Sequence, residues 1–261
     1  MAEPLRFDDG AAYERMMGTW SRIAGRVFLD WIAPKPGLSW VDIGCGNGAF
    51  TELIVERGDP RAVHGIDPSE GQLAFARTRP GAHLAQFQQG DAMKLPFDNG
   101  AFDAATMALV LFFVPEPAQG VAEMARVLKP GGTAAAYAWD MFGGGFPQEP
   151  IFIELREMGF SPPALPSMDA SKREVMQDLW TAAGFVDVET RVIKVERTYD
   201  SFDDFWSTLG GSPSFKAATA NMPPAQMEEL KERVRKRLPV AADGRLTYSA
   251  WANAVKGRVE S

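Results

Sequence analysis

The sequence predicts an α/β fold in which a mostly parallel sheet carries helices on both faces. Three observations predict it. Short apolar runs alternate with helical periodicities between residues 39 and 139, the pattern of a parallel sheet with crossover helices. A glycine-rich turn follows the first of these runs and opens the first helix of the series. Two long extended runs close the chain, separated by helical patches, which predicts an antiparallel pair at one sheet edge.

In order, Met16, Met17, Trp20, Ile23, Ala24, Val27, Phe28 and Trp31 recur at helical spacing, predicting an amphipathic helix over 12–32, weakest at Gly18 and Gly25. Pro34, Pro36 and Gly37 then punctuate the chain. Strands are expected at 39–43, 62–66, 83–88, 102–110 and 133–139, with helices at 49–57, 69–78 and 117–128. From 141 to 169 the chain turns rich in Gly and Pro, with one helical stretch around 151–158. A helix over 171–183 and an extended run over 185–199 follow, then helical patches at 201–209 and 224–238 and a last strand over 245–255.

Composition narrows the function. Among 261 residues, 27 Lys and Arg face 34 Asp and Glu for a formal charge of −7, which gives no general attraction to nucleic acid or anionic membrane. The charge run at 228–237 interleaves acids and bases and reads as a solvated helix face. No apolar run approaches the roughly 20 residues of a membrane span. One Cys and two His do not make a Cys/His zinc site, so no metal is expected. From the lone cysteine and the first residues, which lack a basic-then-apolar leader pattern, a cytoplasmic chain is expected.

The most informative stretch is 41–50, with Gly44, Gly46 and Gly48 between strand and helix. Glycines there allow a tight turn and close backbone approach to a ligand beside a helix N-terminus. Gly44, Gly46 and Ala49 also satisfy a dinucleotide-binding pattern. Asp67 stands at the end of the second strand, where a carboxylate accepts hydrogen bonds from both hydroxyls of a ribose. Asp91 follows the third strand on the same edge. Either acid alone could be a cap or turn residue; their joint placement favours a nucleoside ligand.

The segments VDIGCGNG (41–48), GIDPSEGQLAFAR (65–77), GDAMKLPFDNGAFDAA (90–105) and EMARVLKPGG (123–132), in this order and spacing, resemble the class I S-adenosylmethionine-dependent methyltransferases, in the group similar to ubiquinone- and menaquinone-biosynthesis enzymes. The residues around Tyr13 to Ser21, Ser201 to Trp206 and Ala250 to Ala252 are similar to a bacterial small-molecule branch. The resemblance implies a Rossmann-like sheet of seven strands whose last hairpin is antiparallel. It also implies that Gly44, Gly46 and Gly48 run beneath the methionyl and ribose parts of S-adenosylmethionine. Asp67, with Pro68, would take the ribose hydroxyls, Asp91 and Ala92 the adenine, and the backbone at Ala108 and Leu109 the methionine ammonium. Tyr13 and Trp20 would close over the methionyl end, unless they only pack their helix.

Domain organisation follows as one structural unit: an N-terminal helical cap over 1–36, a cofactor-binding core over 37–140, 171–200 and 245–261, and substrate-lid insertions over 141–170 and 201–244. The expected reaction transfers a methyl group to oxygen, nitrogen or carbon of a small molecule and releases S-adenosylhomocysteine, in a monomer or homodimer. The lid segments carry Phe142, Phe146, Phe152, Phe160, Phe205 and Trp206, which suits a small, partly apolar or planar acceptor. Alternatives are a protein that binds S-adenosylmethionine without transferring methyl, and a nicotinamide-dependent oxidoreductase.

A general base is hard to find. His64 and His83 fall away from the strand ends where a ligand should lie, and Phe112 and Phe113 stand where many relatives carry a histidine. Asp140, just past the fifth strand, and Tyr13 remain as candidates, Asp140 also reading as a turn cap. Cys45 is expected to be a small side chain tolerated in the loop.

Overall fold

The computed structural model describes residues 14–162 and 164–261, so Tyr13 lies outside the described residues. Seven strands form one sheet: β1 (Ser39–Ile43), β2 (Ala62–Asp67), β3 (Ala85–Gln89), β4 (Phe102–Ala108), β5 (Leu128–Trp139), β6 (Val186–Tyr199) and β7 (Leu246–Arg258). Their order is β3-β2-β1-β4-β5-β7-β6. The first five pair in parallel, and β7 pairs antiparallel with both β5 and β6. Chain direction across the sheet therefore reverses at β1, where β2 lies on one side and β4 on the other. Open sheets of this kind bind ligands at the carboxyl ends of the strands beside such a switch point.

The helices are α1 (Thr19–Ile32), α2 (Ala49–Gly58), α3 (Glu70–Ala76), α4 (Pro117–Val127), α5 (Glu149–Glu157), α6 (Arg173–Ala182), α7 (Phe202–Thr208), α8 (Pro213–Thr219) and α9 (Pro224–Arg237). They cover two apolar layers, one on each face of the sheet. Tyr137 and Trp139 of β5 face the layer containing Trp20 and Phe28 of α1 and Phe50 and Leu53 of α2. Ala134, Ala136 and Ala138 face the other layer, with Val121 and Met124 of α4 and Trp180 of α6. The two-residue period of a strand produces this division directly.

Some elements differ from the sequence expectation. The first helix begins as a π-helical turn, Glu14–Gly18, and becomes α-helical only at Thr19. The fourth strand ends at Ala108, because Leu109 has φ of 64° and a 3-10 turn, Leu111–Phe113, follows. Helix α8, between the two expected patches, was not foreseen; Ser212 caps it by accepting the Phe215 N–H, and Pro213 takes its first position.

The charge run on α9 does more than face solvent. Arg233 and Arg237 reach Glu154 of α5 at 2.7 and 2.5 Å, and both also reach Glu157. Glu154 is buried, and the two guanidinium groups hold its carboxyl below the usual carboxylate range against the opposing effect of burial. These ion pairs tie the segment 141–170 to the segment 201–244.

Candidate functional site

The carboxyl edge of the sheet places the sequence-predicted residues in a row. Asp91 follows β3, Asp67 ends β2, the glycine loop follows β1, Leu109 follows β4, Trp139 ends β5 and Asp140 follows it. Their order along the edge is the order in which an extended nucleoside ligand would meet them.

The loop after β1 is built by its glycines. Gly44, Gly46 and Gly48 all have positive φ, at 70°, 52° and 80°, a region that side chains with a Cβ enter at a cost of roughly 1–2 kcal/mol. At Gly44 the requirement is also steric, since a Cβ would lie 2.4 Å from Val110 Cγ2. Gly46 differs: nothing lies within 4 Å of where its Cβ would stand. The loop is thus closed beneath Gly44 and open above Gly46. The Gly44 and Cys45 N–H groups both donate to Ile66 O, which fastens the turn to the end of β2.

Asp67 completes that fastening. Its Oδ2 accepts the Gly46 N–H and its Oδ1 the Ser69 N–H, each at 2.9 Å. Burial raises its pKa, and these two backbone bonds oppose the shift. An ionised carboxylate has about four acceptor positions, so two remain for a ribose diol. Pro68 is exposed and its carbonyl accepts from Gln89 Nε2 at 2.8 Å. Asp91 is exposed, with Oδ1 taking the Met93 N–H at 2.8 Å, and Ala92 is half-buried beside it. Ala108 is half-buried, and the Leu109 N–H donates to Tyr137 O at 2.8 Å, which helps to hold Leu109 in its left-handed conformation.

An acid that the sequence analysis did not place in the site lies beneath the loop. Asp42 is fully buried; Thr51 donates to Oδ2 at 2.6 Å, and Thr106 Oγ1 lies 3.2 Å from Oδ1. Burial dominates these bonds and lifts its pKa from 3.8 to about 7. The signal was its position on β1, two residues before Gly44.

Beside the loop, Asn47 donates to Glu14 at 2.7 Å, and its carbonyl accepts from Arg79 Nε at 2.6 Å. Arg79 also pairs with Glu14, and with Glu52 at 2.9 Å, where Arg22 joins at 2.6 Å. This ion-pair cluster links the N-terminal segment, the glycine loop and the turn after α3.

The three excursions from the core meet at one cavity near the ends of β4 and β5. About 110 Å³ of it is reachable by the centre of a water molecule, several times what a single water requires. Met16 and Met17 come from the N-terminal segment, Leu109 and Trp139 from the strand ends, Met141, Phe146 and Phe152 from the first insertion, and Ser212 from the second.

Trp20 and Asp140, each of which carried two readings, are held by packing and by a turn. Trp20 does not face this cavity: it is 1% exposed, donates Nε1 to Tyr199 Oη at 3.0 Å, and packs edge-on against Trp139. Plain helix packing accounts for it, and Met16 and Met17 line the cavity instead. Asp140 is committed to a turn, accepting from Gly143 N at 2.8 Å and from Trp251 Nε1 at 3.2 Å. These bonds give it the capping role.

The remaining polar groups behave as expected. His64 contacts the rings of Phe97 and Phe102, and burial lowers its pKa; His83 is exposed before β3. Cys45 is buried, which pushes its thiol well above the ordinary value and makes it a poor nucleophile. No helix among the described residues is long and apolar enough to cross a membrane.

Comparison with known proteins bears on the core of the chain. Residues 41–136 match the family model described as a methyltransferase domain. The demethylmenaquinone methyltransferase of Desulfitobacterium hafniense (strain Y51) is 40% identical over 106 residues, 39% of this chain and 42% of that protein. The chain thus spans about two fifths of that relative's length.

Solved structures show the fold. Phosphoethanolamine N-methyltransferase 2 of Haemonchus contortus, in complex with S-adenosyl-L-methionine, superposes with a TM-score of 0.60 at 18% identity, over 96% of this chain and 56% of that one. The cyclase SpnF superposes with a TM-score of 0.56 at 21% identity, over 97% and 84%. The match over 41–136 contains the glycine loop, Asp67 and Asp91, and leaves the nicotinamide reading without support. The matched segment runs from the end of β1, through the glycine loop, into β5, and is similar to the methyltransferase-domain family.

Proposed function

We propose that the protein is an S-adenosylmethionine-dependent methyltransferase acting on a small molecule. One observation carries the reading: along the carboxyl edge, Asp91, Asp67, the loop opened at Gly46 and Leu109 lead in that order to the cavity beyond β4. An S-adenosylmethionine laid on this track has its ribose on Asp67, its adenine beside Asp91 and Ala92, and its methionyl end by Leu109. Gly44 and Gly48 bring the backbone close beneath it. Its methyl group then faces the cavity, where the acceptor would stand.

Transfer from the sulfonium is an in-line displacement, in which the acceptor atom gains the methyl and the sulfur regains its electron pair. Alignment and exclusion of water supply much of the acceleration. With Asp140 capping a turn and Cys45 held as a thiol, the reading favours acceptors that are already nucleophilic over those that need a strong base. The insertions 141–170 and 201–244 act as the substrate lid. A cytoplasmic setting and a monomeric or homodimeric state belong to the same proposal.

One second reading, binding of S-adenosylmethionine without methyl transfer, is favoured because neither His64 nor His83 lines the cavity. Turnover separates the two. Release of S-adenosylhomocysteine is measured during a screen of phenols, amines, carboxylic acids and activated carbon acids. Acceptor-dependent release supports methyl transfer, whereas tight S-adenosylmethionine binding with no release across the screen supports the second reading.

A further inference from the structure

The cavity beyond β4 and β5 is apolar except at a few points, and two of these are unusual. Gln148, at 5% exposure, and Trp139, at 1%, line it. Gln148 Nε2 and Trp139 Nε1 are buried and have no hydrogen-bond partner among the described residues. No other residue lining the cavity has a buried side-chain nitrogen or oxygen without a partner. Buried donors are normally matched, and an unmatched one in a ligand cavity is a candidate for a ligand contact.

The orientation of the Gln148 amide is fixed by its neighbour. Ser212 Oγ accepts the Phe215 N–H at 3.2 Å and donates its own proton to Gln148 Oε1 at 2.9 Å. Turning the amide over would set Nε2 against the serine oxygen, strand the hydroxyl proton and leave Oε1 unpaired. One orphan group would become two. The arrangement with Nε2 free is therefore preferred. Charge on the wall is balanced, because Glu149 and Arg156 pair with each other.

We propose that Gln148 and Trp139 recognise the methyl acceptor by a hydrogen-bond-accepting oxygen, so that the substrate class is a small, largely apolar, ring-containing molecule bearing a carbonyl or phenolate oxygen. This deepens the methyltransferase reading and rests on it. An ammonium group is disfavoured, since it brings further donors to a wall that already has two and whose carboxylate is paired. Met16, Met17 and Met141 give the wall flexible, polarisable contacts suited to a ring.

The test uses three probes on one skeleton, 1-indanone, indane and 1-aminoindane, titrated by calorimetry into the full chain with and without saturating S-adenosylhomocysteine. Wild type is expected to bind 1-indanone roughly tenfold more tightly than indane, and 1-aminoindane no better than indane. Gln148→Leu and Trp139→Phe each reduce that preference, and the double variant removes it while leaving S-adenosylhomocysteine affinity intact. Unchanged S-adenosylhomocysteine affinity and melting temperature identify variants that fold normally; Trp139→Phe alone suffices should Gln148→Leu not fold.

Equal binding of 1-indanone and indane to wild type, no 1-indanone binding up to its solubility limit, or a preference unaltered in the folded variants overturns the proposal. Tighter binding of 1-aminoindane does the same. The failures remain distinguishable: a preference for 1-indanone in a protein that binds no S-adenosylhomocysteine sinks the methyltransferase reading alone. Turnover without that preference sinks only the oxygen contact.

Discussion

Asp67 holds the glycine loop through Gly46, whose N–H lies 2.9 Å from Oδ2, while Oδ1 takes the Ser69 N–H at the same distance. One side chain therefore shapes the loop and still keeps acceptor positions for a ligand. Replacing it removes both functions at once.

Asp67→Ala is expected to weaken S-adenosylmethionine at least roughly tenfold by calorimetry, since bonds to charged groups contribute about 1.5–3 kcal/mol each. The same variant loses about 1.5–3 kcal/mol of stability, because the half-buried Gly46 N–H loses its hydrogen bond to a charged acceptor. Unchanged affinity in a folded Asp67→Ala protein removes the residue from the site.

The two ends of the loop respond differently to a methyl group. Gly44→Ala meets Val110 at 2.4 Å and is expected to unfold easily. Gly46→Ala enters open space at φ of 52°, so it costs only about 1–2 kcal/mol in melting experiments. Yet it fills the room above the loop and lowers S-adenosylmethionine affinity at least about tenfold. Retained affinity in Gly46→Ala places the ligand elsewhere.

Asp42 makes stability depend on pH. Its pKa is higher folded, about 7, than unfolded, 3.8, so between those values the folded chain holds a proton that the unfolded chain releases. That contribution is fully present below pH 3.8, is lost as pH rises through about 7, and then levels off. Asp42→Asn lacks the titration. Denaturant unfolding should show the variant gaining on wild type from about pH 5 to pH 7, by at most about 1.4 kcal/mol per pH unit. A gap constant across that range means that Asp42 stays ionised.

Asp140→Asn separates a cap from a base. An amide nitrogen at Oδ2 would oppose the Trp251 Nε1–H, so a stability loss of about 1–2 kcal/mol is expected, with an unchanged pH profile of turnover. A fall in kcat of more than about a hundredfold at full stability identifies a general base instead.

What the sequence revealed and what it concealed divide along physical lines. The loop at Gly44–Gly48, Asp67 and the alternation of strands and helices were legible because each depends on local chemistry: a tight turn, a strand end, a two-residue or 3.6-residue period. Trp20 was ambiguous because periodicity says which face is buried but not what it is buried against. The Gln148 and Ser212 pair was invisible, since it joins residues 64 apart in two insertions without a shared pattern. The same holds for Arg233 and Arg237, whose partner Glu154 lies 79 and 83 positions away.

A crystal structure of the protein with S-adenosylhomocysteine and 1-indanone tests the central claim most directly. The account predicts ribose hydroxyls on Asp67, adenine beside Asp91 and Ala92, and the sulfur by Leu109, facing the cavity, with the ketone oxygen on Gln148 and Trp139. A nucleoside bound away from the Gly44–Gly48 loop, or a sulfur turned away from the cavity, would contradict it.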